Sequence, residues 1–256
     1  SVMSTHYLGD YFDIHCGGVD NIFPHHENEI AQSRCSSDSE FVNYWLHNEH
    51  LSVEGQKMSK SLGNFYTIRD LLNKGYKPEA IRYSLISSHY RQKLNFTFDR
   101  LDNAQKSINK LREISRRLNI AKDNPDLVAD SNQYSNMTEE FIADFDQNIA
   151  DDLNISGSLG ALFIWINNLF KLIDNNELSS KQSKNALGHL LKIDMILGIF
   201  DYNNENLDLE ISNLISDREK ARANKEWEKS DQIRDLLLEK GIILEDTPHG
   251  TVWKYK

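Results

Sequence analysis

Cysteine is scarce here. Only Cys16 and Cys35 occur among 256 residues, too few for a disulfide framework, so both are expected to stay thiols in a reducing compartment. Long apolar runs are missing as well: no stretch approaches the length needed to cross a bilayer. The opening Ser1-Val2-Met3-Ser4-Thr5-His6 lacks the basic-then-apolar pattern of a signal peptide. A cytoplasmic protein with no membrane partner is the expectation. Positive charge is not in excess either. The formal net charge of -10 argues against indiscriminate nucleic-acid binding. One local basic run, Arg100, Lys106, Lys110, Arg112, Arg116, Arg117 and Lys122, is open to two readings, a solvated helix face or a nucleic-acid contact. At 39% hydrophobic and 27% charged, the chain is globular and long enough for one large or two to three small domains.

Three strings concentrate the chemistry. Lys57-Met58-Ser59-Lys60-Ser61-Leu62-Gly63-Asn64-Phe65 sets two ammonium groups three residues apart ahead of a glycine, a loop suited to closing over a triphosphate. Tyr11-Phe12-Asp13-Ile14-His15 alternates like a short strand and runs into Cys16-Gly17-Gly18-Val19-Asp20. Paired glycines there let backbone approach a ligand, and Asp20 is placed to accept from ribose hydroxyls or to cap the next helix. In Phe23-Pro24-His25-His26-Glu27-Asn28-Glu29, a helix starting at Pro24 sets His25 and Glu29 four residues apart on one face. That pair can hold a metal. The alternative is a polar helix N-terminus whose glutamates favour the positive dipole end and whose histidines carry no ion.

Taken in order and spacing, these strings resemble cysteinyl-tRNA synthetases, a family of class I aminoacyl-tRNA synthetases that share the Lys-Met-Ser-Lys-Ser signature. The resemblance implies ATP-dependent activation of L-cysteine, with Mg2+, and transfer to tRNA(Cys). Lys57 and Lys60 become the catalytic lysines, and ATP is bound by His15, Gly17, Gly18, Asp20, Lys57, Ser59, Lys60 and Ser61. His25 and Glu29 become two of four Zn2+ ligands, the other two being cysteines N-terminal to this segment, and the metal takes the substrate thiol as thiolate. Two departures stand out. Cys16 sits where the family has glycine, and the nucleotide-binding His-Ile-Gly-His string is absent. The expectation is therefore the C-terminal part of a synthetase, a monomer with half of each site.

The remainder reads as helical. Thr67 caps a helix that Gly75 stops, and Pro78 opens another. Phe41 to His47 is a strand or short helix, with Trp45 as a core aromatic. From Phe98 to Phe200, apolar residues recur at helical spacing in four segments, which implies an antiparallel bundle with these stripes as its core. The last segment combines two amphipathic helices with a hairpin around Thr247-Pro248-His249. Exposed aromatic and charged groups there can stack on an unpaired base and read its edges, or Trp227 and Trp253 can form a small core. By the resemblance, Arg222, Trp227, Asp231 and Asp246 read the anticodon. The expected fold class is α/β plus all-α: the C-terminal portion of a Rossmann-type catalytic domain (1–66), a connector similar to the family's stem-contact fold (67–97), a helical bundle (98–203) and an anticodon-binding tail (207–256). Two alternatives remain at this point, a ligase joining cysteine to an amino sugar and a noncatalytic tRNA-binding module. The 256 residues alone are expected to give no cysteine-dependent pyrophosphate exchange, and robust turnover in that assay would refute this.

Overall fold

The computed structural model describes residues 1–37, 40–127, 130–200, 205–247 and 250–255. They form two units, 1–105 with 132–169 and 106–131 with 170–256.

The first unit opens with α1 (Val2–Leu8), β1 (Phe12–Gly18), irregular turns through His26, α2 (Glu27–Ser36) and β2 (Val42–Asn48). β1 and β2 pair in parallel from Phe12↔Val42 to Gly18↔Asn48. Parallel neighbours need a crossover, which α2 supplies. The segment from Phe41 to His47 thus resolves as strand, as its β-branched and aromatic residues favour. Phe23 is extended (φ -132, ψ 131) and is the only non-helical residue between Ile22 and His26, so helical backbone runs from Pro24 into α2 as expected, through a wider first turn.

A second sheet has the order β4 (Gln56–Lys57), β3 (Leu51–Val53), β5 (Leu94–Phe96), antiparallel and then parallel. Between them lie α3 (Ile68–Asn73) and α4 (Pro78–Ile86). Thr67 and Asp70 close a reciprocal capping box, Gly75 stops the turn at φ 93, and Pro78 takes the first helical position.

Four longer helices follow: α5 (Phe98–Lys122), α6 (Asn132–Ala150), α7 (Ile155–Asp174) and α8 (Ser180–Leu197). The α5 stripe Leu101, Ala104, Ile108, Leu111, Ile114 and Leu118 is buried throughout. In the first unit, Trp165 of α7 stacks on Phe141 of α6 at 4.5 Å and donates to Thr138 Oγ1 at 3.1 Å. Two expectations need correction. α7 is long and apolar enough in composition to span a bilayer, and one face of it, Leu159, Leu162, Trp165 and Ile166, is buried within the protein. On α8, Leu190, Ile193 and Leu197 are buried whereas Leu191 and Ile196 are half-exposed, at 51% and 52%. Those two fall off the i, i+3, i+7 line that faces inward.

At the α6–α7 corner, Asp152 and Leu153 both take left-handed conformations, φ 50 and 57. The Asp152 carboxylate accepts from the Tyr90 hydroxyl and from Arg91 Nε, each at 2.6 Å. Asn154 caps α7 by accepting from the Gly157 N–H at 3.0 Å, and a Cβ on Gly157 would collide with the Asn148 side chain.

In the second unit, Glu113 accepts from Arg116 Nε (2.9 Å) and Nη2 (2.8 Å) and from Arg117 Nε (2.7 Å). Arg117 also donates to Asp174 at 2.6 Å. Part of the basic run is therefore spent on internal ion pairs. The tail consists of α9 (Glu205–Ala223), α10 (Trp227–Glu239), β6 (Ile242–Thr247) and β7 (Gly250–Tyr255). Ile211, Ile215, Ile233, Leu237 and Ile242 form its core. Trp227 is outside that core, 60% exposed. The hairpin tip at Pro248-His249 lies outside the described residues, as do the side chains of Asp246 and Trp253.

Burial alone would raise the Glu113 pKa, but the hydrogen bonds from Arg116 and Arg117 outweigh it and hold the carboxyl below its ordinary 4.5. A depressed folded pKa contributes stability that is fully present above pH 4.5 and is lost as pH falls through the lower folded value. Glu113→Gln should remove that component, so thermal unfolding followed down an acid series should show a shallower loss below pH 4.5 than the parent. Gly157→Ala should lower the unfolding free energy by about 1 to 3 kcal/mol in urea, since the new methyl displaces the residues that cap α7.

Candidate nucleotide and metal site

The carboxyl ends of β1 and β2 carry an unusual density of imidazole. Strand alternation puts His15 and Gly17 on one face, with Trp45 and His47 opposite them in register. His15 packs edge-on against Trp45 at 4.8 Å, and Trp45 lies parallel to His47. Onto this face the turn after Gly18 lays His26, buried to 4% exposure, with Nδ1 2.7 Å from His47 Nε2. Trp45 is thus only half-buried, as one wall of this cluster. Burial lowers the His26 pKa, and the neighbouring His15 and His47 push it further down against the pull of Glu29. Its neutral form is therefore favoured, and its Nδ1 contact with His47 needs a proton on one of the two nitrogens.

α2 brings in the carboxylate. Glu29 Oε2 lies 2.7 Å from His15 Nε2, and Oε1 lies 3.1 Å from the amino group of Ser1. Burial opposes ionisation of Glu29, and the hydrogen bond from His15 leads the effects that pull the carboxyl below its ordinary range. An ionised carboxylate only accepts, so His15 Nε2 carries the proton in this contact. Nitrogen and oxygen atoms of His15, His26 and Glu29 all lie within 4.8 Å of one another. Imidazole and carboxylate match zinc's donor preferences, although a closed tetrahedral site takes four ligands. His25, paired with Glu29 from the sequence, sits at the rim. Its ring is 65% exposed and its Nε2 lies 3.9 Å from Glu29 Oε2. The contributions of His26 and His47 were missed by sequence reasoning; the period-2 spacing of Trp45 and His47 was the available signal.

The glycines are held to their identity by contact. A Cβ on Gly17 would stand 2.6 Å from His26 Cε1, and one on Gly18 would strike the Asp20 carboxylate, which folds back over it. Asp20 itself is exposed in the turn after β1. Cys16 is exposed on the opposite strand face from His15 and Gly17, so its thiol does not narrow their surface.

The lysine loop leaves β4 at Lys57 and is closed by a side chain that carried no assignment in the sequence. Asn64 accepts from the Ser59 N–H at 2.8 Å and donates to the Lys57 carbonyl at 3.1 Å. Gly63, at φ 68, makes the turn possible. Ser59 and Ser61 hydroxyls meet at 2.7 Å, and Lys60 Nζ lies 5.5 Å from the centre of the Phe65 ring. Both lysines are exposed. In the tail, Trp227 and Asp231 share one face of α10, both exposed, with Asp231 3.7 Å from Arg234. Arg222 is an exposed residue near the end of α9.

Comparison with known proteins identifies the family. A family model described as tRNA synthetases class I (C) catalytic domain matches residues 1–106, and one described as Cysteinyl-tRNA ligase anticodon binding domain matches 204–253. The cysteine–tRNA ligase of Protochlamydia amoebophila is 42% identical over 253 residues, and that of Leptospira interrogans 46% identical over 263. The chain belongs to the cysteinyl-tRNA synthetase family. These matches take in 98% and 100% of this chain but 52% and 55% of the relatives, so it spans about half the length of the curated family members it matches. Among solved structures, Agrobacterium radiobacter K84 LeuRS, in a ternary complex with tRNA and LeuAMS, aligns with TM-score 0.59 and 17% identity over 72% of this chain and 25% of that one. Mycobacterium tuberculosis methionyl-tRNA synthetase bound by methionyl-adenylate aligns with TM-score 0.51 and 18% identity, over 62% and 34%. Those two likenesses concern the fold alone. Together with the family models they are consistent with a partial Rossmann-type domain, a helical bundle and a small C-terminal domain.

Gly17→Ala should destabilise the protein by about 1 to 3 kcal/mol in urea unfolding, because the His26 ring it would displace is buried and hydrogen-bonded. Unchanged stability would mean that the ring yields freely.

Proposed function

We propose that this chain serves cysteine–tRNA ligation in the cytoplasm as part of a monomeric synthetase: L-cysteine and ATP give cysteinyl-adenylate and pyrophosphate, and the cysteinyl group passes to tRNA(Cys). The observation that carries the reading is the Glu29 carboxylate set among histidines at the ends of two parallel strands, within the string that marks the family. Its neighbours His25, and upstream cysteines by analogy with the family, would hold zinc with it. Bound there, zinc supplies a soft contact that favours sulfur over a hydroxyl, which separates cysteine from serine without editing.

The chain's own residues supply the rest. Gly17 and Gly18 would let backbone approach the nucleoside beside Asp20, whose exposed carboxylate can accept from ribose hydroxyls. Lys57 and Lys60 stand exposed on a loop clasped at its base by Asn64 and would follow the phosphates, with Mg2+, as negative charge develops on them. The substrate carboxylate attacks the α-phosphate directly, so positioning and electrostatics suffice without a protein base. Exposed Cys16 and Cys35 thiols suit a reducing compartment. The match over residues 204–253 favours tRNA over an amino sugar as acceptor, and the exposed Trp227 and Asp231 on α10 offer a stacking plane and an acceptor for base amino groups.

Binding of tRNA(Cys) to this chain, measured by filter retention, should weaken by about 1 to 3 kcal/mol in Asp231→Ala or Asp246→Ala, if bidentate base contacts carry over from DNA to this RNA. Equal affinity for a tRNA with an altered anticodon would overturn the assignment of the tail.

A further inference from the structure

The lysine loop stands on a short stem, and that stem is tied to α5 rather than only to its own sheet. β3 and β4 join through Glu54 and Gly55, at φ 49 and 75, a two-residue turn of the type that matches strand twist. Glu54 is an unusual choice there, since asparagine and glycine tolerate a left-handed conformation better. Its side chain has a use. The Glu54 carboxylate accepts from the Phe98 N–H at 3.2 Å, the first N–H of α5, while Thr97 Oγ1 accepts from Arg100 N–H at 3.1 Å. Two of the helix's four unsatisfied N-terminal donors are thus met, one by its own cap and one from the hairpin. Backbone and side chain fasten the same turn a second and third time. Glu54 N–H donates to the Phe96 carbonyl at 3.0 Å, and Gly55 N–H donates to Asn95 Oδ1 at 2.8 Å. Asn95 Oδ1 also accepts from the Ser52 hydroxyl at 3.2 Å.

From this turn only Gln56 precedes Lys57. We propose that Glu54, seconded by Asn95, is a positioning residue that couples the first turn of α5 to the lysine loop, so that a displacement at the helix start is felt at Lys57 and Lys60. The inference rests on reading Lys57–Ser61 as a loop that closes on triphosphate. It adds that the loop's resting position is set from outside the loop, by a contact that a bound RNA could pull through α5.

Hydrogen exchange read by mass spectrometry on the whole chain tests this, with Glu54→Ala, Glu54→Gln and Asn95→Ala, each with and without ATP as the probe. In Glu54→Ala, exchange should rise about tenfold both at the start of α5, around Phe98 to Leu101, and in the loop from Lys57 to Asn64, as loss of one charge-assisted hydrogen bond predicts. Exchange around Phe141 to Phe145 on α6 should stay at the parent level and serves as the folding control. Glu54→Gln keeps an acceptor oxygen and should restore most of the protection at both places together, and Asn95→Ala should loosen the loop. A rise at the α5 start with no change in the loop overturns the coupling and leaves Glu54 as a simple cap. If ATP protects the parent's loop while that pattern holds, the phosphate reading survives alone. If Glu54→Ala loosens both places but ATP protects neither, the coupling stands and the phosphate reading falls.

Discussion

Everything at the candidate site depends on the register of β1 against β2. Residues in a strand alternate between faces, so pairing Gly17 with His47 and His15 with Trp45 gathers imidazole and indole on one surface. A slip of one residue would turn Cys16 and Ile14 toward α2's carboxylate instead, and the cluster would not exist. The parallel pair and its crossover helix are thus a device for bringing Glu29, from α2, over side chains from two strands. Burial disfavours ionisation of Glu29 there, and the hydrogen bond from the His15 imidazole favours it.

Local rules account for much of what could be anticipated. Thr67 with Asp70, Pro78 and Asn154 act on residues within a few positions of themselves, so their roles could be read one window at a time. The apolar stripe of α5 was legible for the same reason. Failures cluster where a partner lies far along the chain. Nothing near His26 announces that its ring will be buried against His47, 21 residues on. Asn64 looked like the end of a signature string until its side chain was seen closing the loop over seven residues. Leu191 and Ile196 shared the periodic signal of α8, but a stripe drawn too wide cannot say which flank faces water. Trp227 illustrates the same limit from the other side: its size favours a core, and its place at the helix start leaves it exposed.

Charge follows a comparable division. A net charge of -10 is a sum over 256 residues, and the basic run on α5 looked like a surface in its own right. Arg100 donates to the hydroxyls of Ser87 and Ser88, while Arg116 and Arg117 converge on Glu113. Guanidinium groups with several donors in a fixed fork suit such convergence better than lysines would. What the sequence lists as a patch is in part an internal fastening.

The corner between α6 and α7 has one more implication. Two successive left-handed residues, neither of them glycine, do not hold such a bend unaided, since each costs of order 1–3 kcal/mol. Here Tyr90 and Arg91, from some sixty positions earlier, grip the Asp152 carboxylate. Excised as a peptide, residues 132–174 would carry both helix sequences but not the hands that close the hinge. The helical hairpin is therefore not an autonomous module: its shape is written in a segment of chain that a dissection by secondary structure would discard.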